Sequence, residues 1–180
     1  MKQKPMPGDP SGRELVDRII RVDQAGEYGA VRIYQGQLAV LPEGPAKAAV
    51  RAMAKKEAEH LARFDRLVAE RGVRPTALQP LWHVAGFALG AATAMLGARA
   101  AMACTVAVEE AIDEHYAAQG RALGDDEAAL RATIAAFRED EIEHKETALK
   151  HDAERAPVYP LLSHAIKAGS RLAIWLSERL

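Results

Sequence analysis

Apolar residues recur along most of the chain at the three- and four-residue spacing of amphipathic helices, and no stretch alternates with a period of two. In the first stretch, Leu15, Ile19 and Val22 mark the inner face, and Ser11 with Glu14 forms a capping-box start. The pattern predicts an all-α bundle without a sheet. Six helices are expected. The first two cover residues 11–41 and 44–71, the third begins near residue 80, and the fourth runs through residue 108 to 123. The last two cover 125–155 and 161–180. Most of them are separated by helix breakers: Pro42, Gly72, Gly124 and Pro157.

Composition narrows the class of protein. About half of the 180 residues are apolar, which is enough for a single domain over 11–180, and residues 1–10 are expected to form a disordered tail. The net charge of −1 offers no basic surface for nucleic acid. Cys104 is the single cysteine, so the chain forms no internal disulfide and no cysteine-based metal site. The first ten residues lack signal-peptide and transit-peptide patterns, and we therefore expect a cytoplasmic protein.

Two Glu-x-x-His motifs stand out as candidate chemistry, Glu57–His60 and Glu141–His144. Residues three positions apart lie on the same face of a helix, so each carboxylate and imidazole can bind one metal ion together. One such motif is weak evidence, because glutamate and histidine often meet at this spacing by chance.

A lone glutamate precedes each motif by a similar distance. Glu27 lies 30 residues before Glu57, and Glu109 lies 32 residues before Glu141. A helix with one glutamate, followed by a helix with the motif, therefore occurs twice. Glu109 is preferred over its neighbour Glu110, which stays the alternative.

Two such helix pairs would bring six side chains to one point, which is the ligand set of dinuclear carboxylate bundles. Carboxylates with two imidazoles suit iron or manganese, and iron is expected because oxygen chemistry needs a redox-active pair. Without cations, four buried carboxylates would be costly or would take up protons. The alternative is that these glutamates lie on solvated helix faces. That alternative readily explains any single glutamate, but it does not readily explain the duplicated six-residue pattern. The predicted metal ligands are Glu27, Glu57, His60, Glu109, Glu141 and His144.

The segments around these residues resemble the demethoxyubiquinone hydroxylase family. The matching segments are RIIRVDQAGEYGAVRIYQGQ, MAKKEAEHLARF, ACTVAVEEAIDEHY, FREDEIEHKETALKHDAE and the C-terminal AIWLSERL. The resemblance covers residues 13–180 and implies a ferritin-like four-helix bundle with two additional helices. It also implies a monooxygenase of ubiquinone biosynthesis with two iron ions per chain. Such an enzyme hydroxylates the ring of demethoxyubiquinol, a polyprenylated quinol, with O₂ and reducing equivalents expected from NADH.

Three further residues are candidates for the site. The resemblance implies that His115 and Tyr116 act in substrate contact and electron transfer, whereas a helix-packing pair is the alternative. Asp140, directly before Glu141, is a candidate acceptor for the outer N–H of a ligand histidine, because such histidines usually donate to a carboxylate. A surface aspartate is the alternative there. The sequence assigns no role to the remaining histidines His83, His151 and His164.

The range 81–108 is nearly uniformly apolar, interrupted by His83 and Arg99. Its first part, residues 81–98, is at the lower limit of transmembrane length, but the chain must return to the core at Glu109. We therefore expect peripheral contact with the cytoplasmic side of the bacterial inner membrane, where a polyprenyl quinol resides. Burial in the bundle and a dimer contact are the alternatives, so a homo-oligomer and a lipid-binding helper protein both stay open.

Two other functions compete with this interpretation. A ferritin-like or rubrerythrin-like ferroxidase would use the same six ligands, although its exterior should be hydrophilic and a rubredoxin-type site would need four cysteines. A metal-free helical scaffold would require these carboxylates to lie on the surface.

Overall fold

The computed structural model describes residues 12–180 and, within them, contains no strand. The predicted cap Ser11 and the predicted tail 1–10 lie outside the described residues. Over the described range the all-α, ferritin-like bundle of six helices is confirmed. The helices are α1 (Gly12–Val40), α2 (Pro45–Arg71), α3 (Gln79–Met95), α4 (Ala98–Ala122), α5 (Ala128–Lys150) and α6 (Tyr159–Ser177).

The helices form a four-helix core with two outer helices. Helix α1 packs against α2, and α4 packs against α5, while α3 lies along α1 and α6 lies along α4. One apolar cluster at one end of the core includes Ile20, Phe64 and Ile134. A second cluster at the other end includes Met53 and Met102. The middle turns of α1, α2, α4 and α5 therefore lie between two apolar layers.

Glycines allow α3 to lie unusually close to α1. A Cβ atom at Gly90 would overlap the carbonyl of Ile33, and one at Gly36 would overlap the carbonyl of Phe87. Only hydrogen fits at these two positions, because the neighbouring atoms are backbone. The glycines that lower the helix propensity of α3 are thus explained by helix packing.

Two predicted helix ends differ from the structure. The fifth helix ends at Lys150 rather than Arg155, because Asp152 adopts a left-handed backbone with φ of 62° and residues 153–155 form a short 3₁₀ turn. Its start is later than predicted, at Ala128, because residues 125–127 also form a 3₁₀ turn. Gly72 ends α2 in the left-handed conformation with φ of 64°, as predicted.

The second half of the 81–108 range cannot form the expected membrane contact, because it is buried in the bundle, which is the alternative that the sequence left open. Gly97 separates α3 from α4, and every residue from 100 to 108 is buried in the core. Within residues 81–108, the exposed large apolar side chains belong to α3 and the turn after it: Leu81, Val84, Phe87, Met95 and Leu96. No helix within 12–180 is both long enough and apolar enough to cross a membrane.

Candidate metal centre

The six predicted ligands meet in the middle of the core, and each is at most 5% exposed. They fall into two groups, and within each group the ligand atoms all lie within 4.8 Å of one another. The first group is Glu27, Glu57, His60 and Glu141. The second group is Glu57, Glu109, Glu141 and His144. Glu57 and Glu141 belong to both groups, which is the arrangement of carboxylates that bridge two ions.

Both imidazoles approach the centre with the same ring nitrogen. His60 Nδ1 lies 3.2 Å from Glu141 Oε1 and 3.6 Å from Glu27 Oε2. His144 Nδ1 lies 3.0 Å from Glu57 Oε1 and 3.2 Å from Glu141 Oε2. Glu141 therefore presents one oxygen to each histidine, as a bridging ligand would.

The atoms that face the centre are buried and have no hydrogen-bond partner, although several lie close together. They are Glu27 Oε2, both oxygens of Glu57 and Glu141, Glu109 Oε2, and Nδ1 of His60 and His144. Buried polar atoms are normally paired, and unpaired carboxylates are costly in a core. Four carboxylates and two imidazoles match the donor set of a di-iron or di-manganese centre. The residues present therefore fit two such ions.

The metal-free cluster retains protons that a cation would displace. Burial, with repulsion from neighbouring carboxylates, raises the pKa of Glu57 and of Glu109 well above the ordinary value. Burial alone would lower the pKa of His60, but the close carboxylates of Glu141 and Glu27 outweigh it and raise this pKa to about 10. Metal binding at this centre would therefore release protons.

Asp140 and Glu110 lie in different surroundings outside the cluster. The carboxylate of Asp140 accepts a hydrogen bond from His60 Nε2 at 2.9 Å, on the opposite side of the ring from the metal ligands. Lys56 Nζ lies 3.4 Å from the other oxygen of Asp140. Glu110 points away from the centre and pairs with Lys167 at 2.7 Å.

Two buried tyrosines connect the halves of the bundle. Tyr34 on α1 donates a hydrogen bond to Glu109 on α4 at 2.8 Å, and Tyr116 on α4 donates to Glu27 on α1. The sequence alone indicates a role for Tyr116 and none for Tyr34. A repeated pattern could have revealed it, because a tyrosine follows seven residues and a glutamine ten residues after each lone glutamate. The two sets are Glu27, Tyr34, Gln37 and Glu109, Tyr116, Gln119.

His115 lies beside the cluster rather than in it, with its side chain 17% exposed. The amide of Gln119 donates to His115 Nε2 at 2.7 Å and to Asp23 Oδ1 at 2.6 Å. Burial lowers the pKa of His115 and raises that of Asp23, which is fully enclosed near Glu27. These residues form a polar connection from the edge of the bundle towards the Glu27 side.

An apolar cavity of about 570 Å³ lies on the side of α1 and α4 opposite to α2 and α5. Helices α3 and α6 complete its wall with Trp82 and Ile166. Gly26 and Val108 also line it, and they are the chain neighbours of Glu27 and Glu109. The cavity therefore reaches the backbone that carries the two lone glutamates.

Comparison with known proteins decides the family. A family model described as Ubiquinone biosynthesis protein COQ7 matches residues 14–177. The chain belongs to the COQ7 family. The match contains all six candidate ligands, so the candidate metal centre lies wholly inside the matched region.

Curated relatives extend this similarity over most of both chains. A Rhodospirillum rubrum protein named 3-demethoxyubiquinol 3-hydroxylase is 62% identical over 97% of this chain and 83% of its own. A human protein named NADPH-dependent 3-demethoxyubiquinone 3-hydroxylase, mitochondrial, is 52% identical over 96% and 81%. A Saccharomyces cerevisiae protein named 5-demethoxyubiquinone hydroxylase, mitochondrial, is 42% identical over 92% and 78%.

The metal-free protein is expected to lose stability as the pH rises from about 6.5 to about 10. His60 has a folded pKa of about 10, above its ordinary 6.5, so in this range the folded chain keeps a proton that the unfolded chain releases. Thermal unfolding across the pH range measures the effect. The control is Mn²⁺-loaded protein, in which the ion has already displaced the proton and the decline should disappear. A metal-free melting temperature that stays level or rises would contradict the expectation.

Proposed function

We propose that the protein is a di-iron monooxygenase that hydroxylates the ring of demethoxyubiquinol in ubiquinone biosynthesis. The observation that carries the proposal is a six-donor cluster with unpaired buried atoms, directly behind an apolar cavity. The names of the COQ7 relatives support the substrate and the reaction.

The chain's own residues would divide the work of holding the metals. Glu27 and His60 would bind one ion, and Glu109 and His144 the other. Glu57 and Glu141 would bridge them. When bound, two iron ions supply the redox chemistry that reduces O₂. The apolar layers on both sides of the centre keep bulk water away from it.

The cavity fits the chemistry of a polyprenylated quinol. Its volume is within the usual range of small-ligand sites, about 300–1,000 Å³. Its wall is almost entirely apolar, which suits an isoprenoid tail. Gly26 and Gly29 leave space on the α1 side, because a Cβ atom at either position would meet nothing within 4 Å. The quinol ring would lie at this glycine face, next to Glu27. A ferroxidase would need no such cavity, so the hydroxylase is favoured over that alternative.

Reduced nicotinamide is the proposed electron donor. The family resemblance led us to expect NADH, whereas several eukaryotic relatives are named NADPH-dependent. Measuring kcat/KM for each nucleotide in the same hydroxylation assay decides between them.

The protein is proposed to bind peripherally to the cytoplasmic side of the bacterial inner membrane. The contact would use α3 and α6 together, in place of the 81–108 range. Leu81 and Val84 on α3 and Leu172 and Trp175 on α6 are between 51% and 65% exposed. These two helices form two walls of the cavity, so quinol could enter from lipid.

Alanine at a metal ligand is expected to abolish hydroxylation, because the two metal ions lose a donor atom that no neighbouring side chain replaces. Glu57→Ala and His144→Ala should each lower turnover of a short-tail demethoxyquinol by about a thousandfold or more. Product is quantified by chromatography with mass detection, beside iron analysis of each variant. Glu59→Ala and Glu143→Ala are the matched controls, because both side chains are exposed on the same helices. Full turnover in either ligand variant would contradict the assignment.

Filling the cavity should weaken substrate binding without changing the metal content. Gly169 on α6 lines the cavity, and a Cβ there meets nothing within 4 Å, so Gly169→Leu is expected to fold. We expect KM for the quinol to rise by about tenfold or more. Gly120→Leu is the control, since Gly120 is an equally open helical glycine that does not line the cavity. An unchanged KM in the Gly169 variant would show that substrate binds elsewhere.

Charges on the exposed face of α6 should release the protein from lipid. The double variant Leu172→Glu, Trp175→Glu is expected to bind anionic liposomes about tenfold more weakly or worse, because two large apolar side chains are lost. Flotation with liposomes measures the binding. Leu149→Glu on α5 is the control, since it adds a charge away from this face. A wild-type protein that stays in solution as an oligomer, or that needs a lipid-binding helper protein, would count against direct contact.

A further inference from the structure

The two candidate metal positions match in every ligand. Each has one lone glutamate, one histidine and the two shared glutamates. In each, a tyrosine from the opposite half donates to the lone glutamate. The two Glu-x-x-His motifs are 84 residues apart, so residues on α2 and α5 can be compared position by position.

The match fails at the residue directly before each motif. Asp140 occupies this position on α5, and Lys56 occupies it on α2. Asp140 reaches across to α2 and accepts a hydrogen bond from His60 Nε2 at 2.9 Å. Lys56 cannot accept a hydrogen bond, and it pairs with Asp140 instead. Within residues 12–180, nothing forms a hydrogen bond with Nε2 of His144.

The carboxylate behind His60 changes what that imidazole offers to a metal. It holds the proton on Nε2, so the lone pair of Nδ1 points into the cluster, and it increases the electron density of the ring. The ring is also held flat against Phe137, with centroids 3.9 Å apart and planes 20° apart. Lys56 is 43% exposed and therefore screened by water, so it only partly offsets the charge of Asp140. The ring of His144 has no comparable carboxylate.

We propose that the two metal positions are unequal, and that the position of Glu27 and His60 binds its ion first and more tightly. Asp140 is then a positioning residue that acts through His60. The position of Glu109 and His144 is the weaker of the two. This inference rests on the proposed dinuclear function, but it concerns metal binding and not turnover.

Titration of the metal-free protein with Mn²⁺ tests the inequality. Calorimetry should show two steps whose affinities differ by roughly 10- to 100-fold. Paramagnetic resonance should show an isolated ion after one equivalent and loss of that signal by coupling after the second. Glu27→Ala should remove the tighter step, and Glu109→Ala the weaker one, because each glutamate belongs to a single group.

Asp140→Asn tests the cause. It keeps the shape of the side chain and removes its charge, so the tighter step should weaken by roughly 10- to 100-fold while the other step stays the same. Lys56→Gln is the matched control. It breaks the ion pair but keeps the carboxylate, and both steps should persist.

Two results would overturn the proposal: a wild-type titration with two equal sites, or an Asp140→Asn variant that weakens both steps equally or neither. Hydroxylase activity does not enter these measurements. A protein that binds Mn²⁺ in two unequal steps but hydroxylates nothing would refute the proposed function and support this inference.

Discussion

Four carboxylates enclosed at one point of an apolar core are the constraint on which the rest of the structure depends. They repel one another, and burial removes the water that would otherwise stabilise their charge. The cluster can persist only with protons or cations. The raised pKa values of Glu57, Glu109 and His60 show that, without a cation, these groups hold protons. The apolar clusters at both ends of the core strengthen the requirement, because they lie between the carboxylates and bulk water at each end of the bundle.

The duplicated arrangement explains how one short chain builds such a centre. Each half supplies one lone glutamate and one motif, and neither half is complete without the other. The tyrosine bonds make this dependence reciprocal, because Tyr34 orients the glutamate of α4 and Tyr116 orients that of α1. Positions that differ between the halves, such as Lys56 and Asp140, are therefore where the two metal positions can acquire different properties.

Much of this site could be predicted, because helical spacing fixes which residues share a face. The Glu-x-x-His motifs and the lone glutamates follow from that rule, and the six helices follow from apolar periodicity. Contacts between helices do not follow from it, so it does not predict that Tyr34 bonds to Glu109, although the repeated spacing of the two tyrosines could indicate a role for Tyr34. Apolar composition also cannot distinguish burial against protein from exposure, so the sequence predicts membrane contact for all of 81–108 although residues 100–108 are buried. The left-handed turn at Asp152 depends on tertiary packing, and no local breaker in the sequence marked the end of α5 at Lys150.

The positions of the histidines and of the cavity give the centre two different faces. Both imidazoles come from α2 and α5, whereas the cavity is lined by α1, α3, α4 and α6. A substrate in the cavity would therefore approach from the side of Glu27 and Glu109, and the imidazoles would lie behind the metals. A carboxylate can change its coordination without moving its helix, but an imidazole held from behind by Asp140 cannot. The adaptable ligands Glu27 and Glu109 would thus face a substrate in the cavity, and His60, held from behind by Asp140, would lie on the far side of the centre.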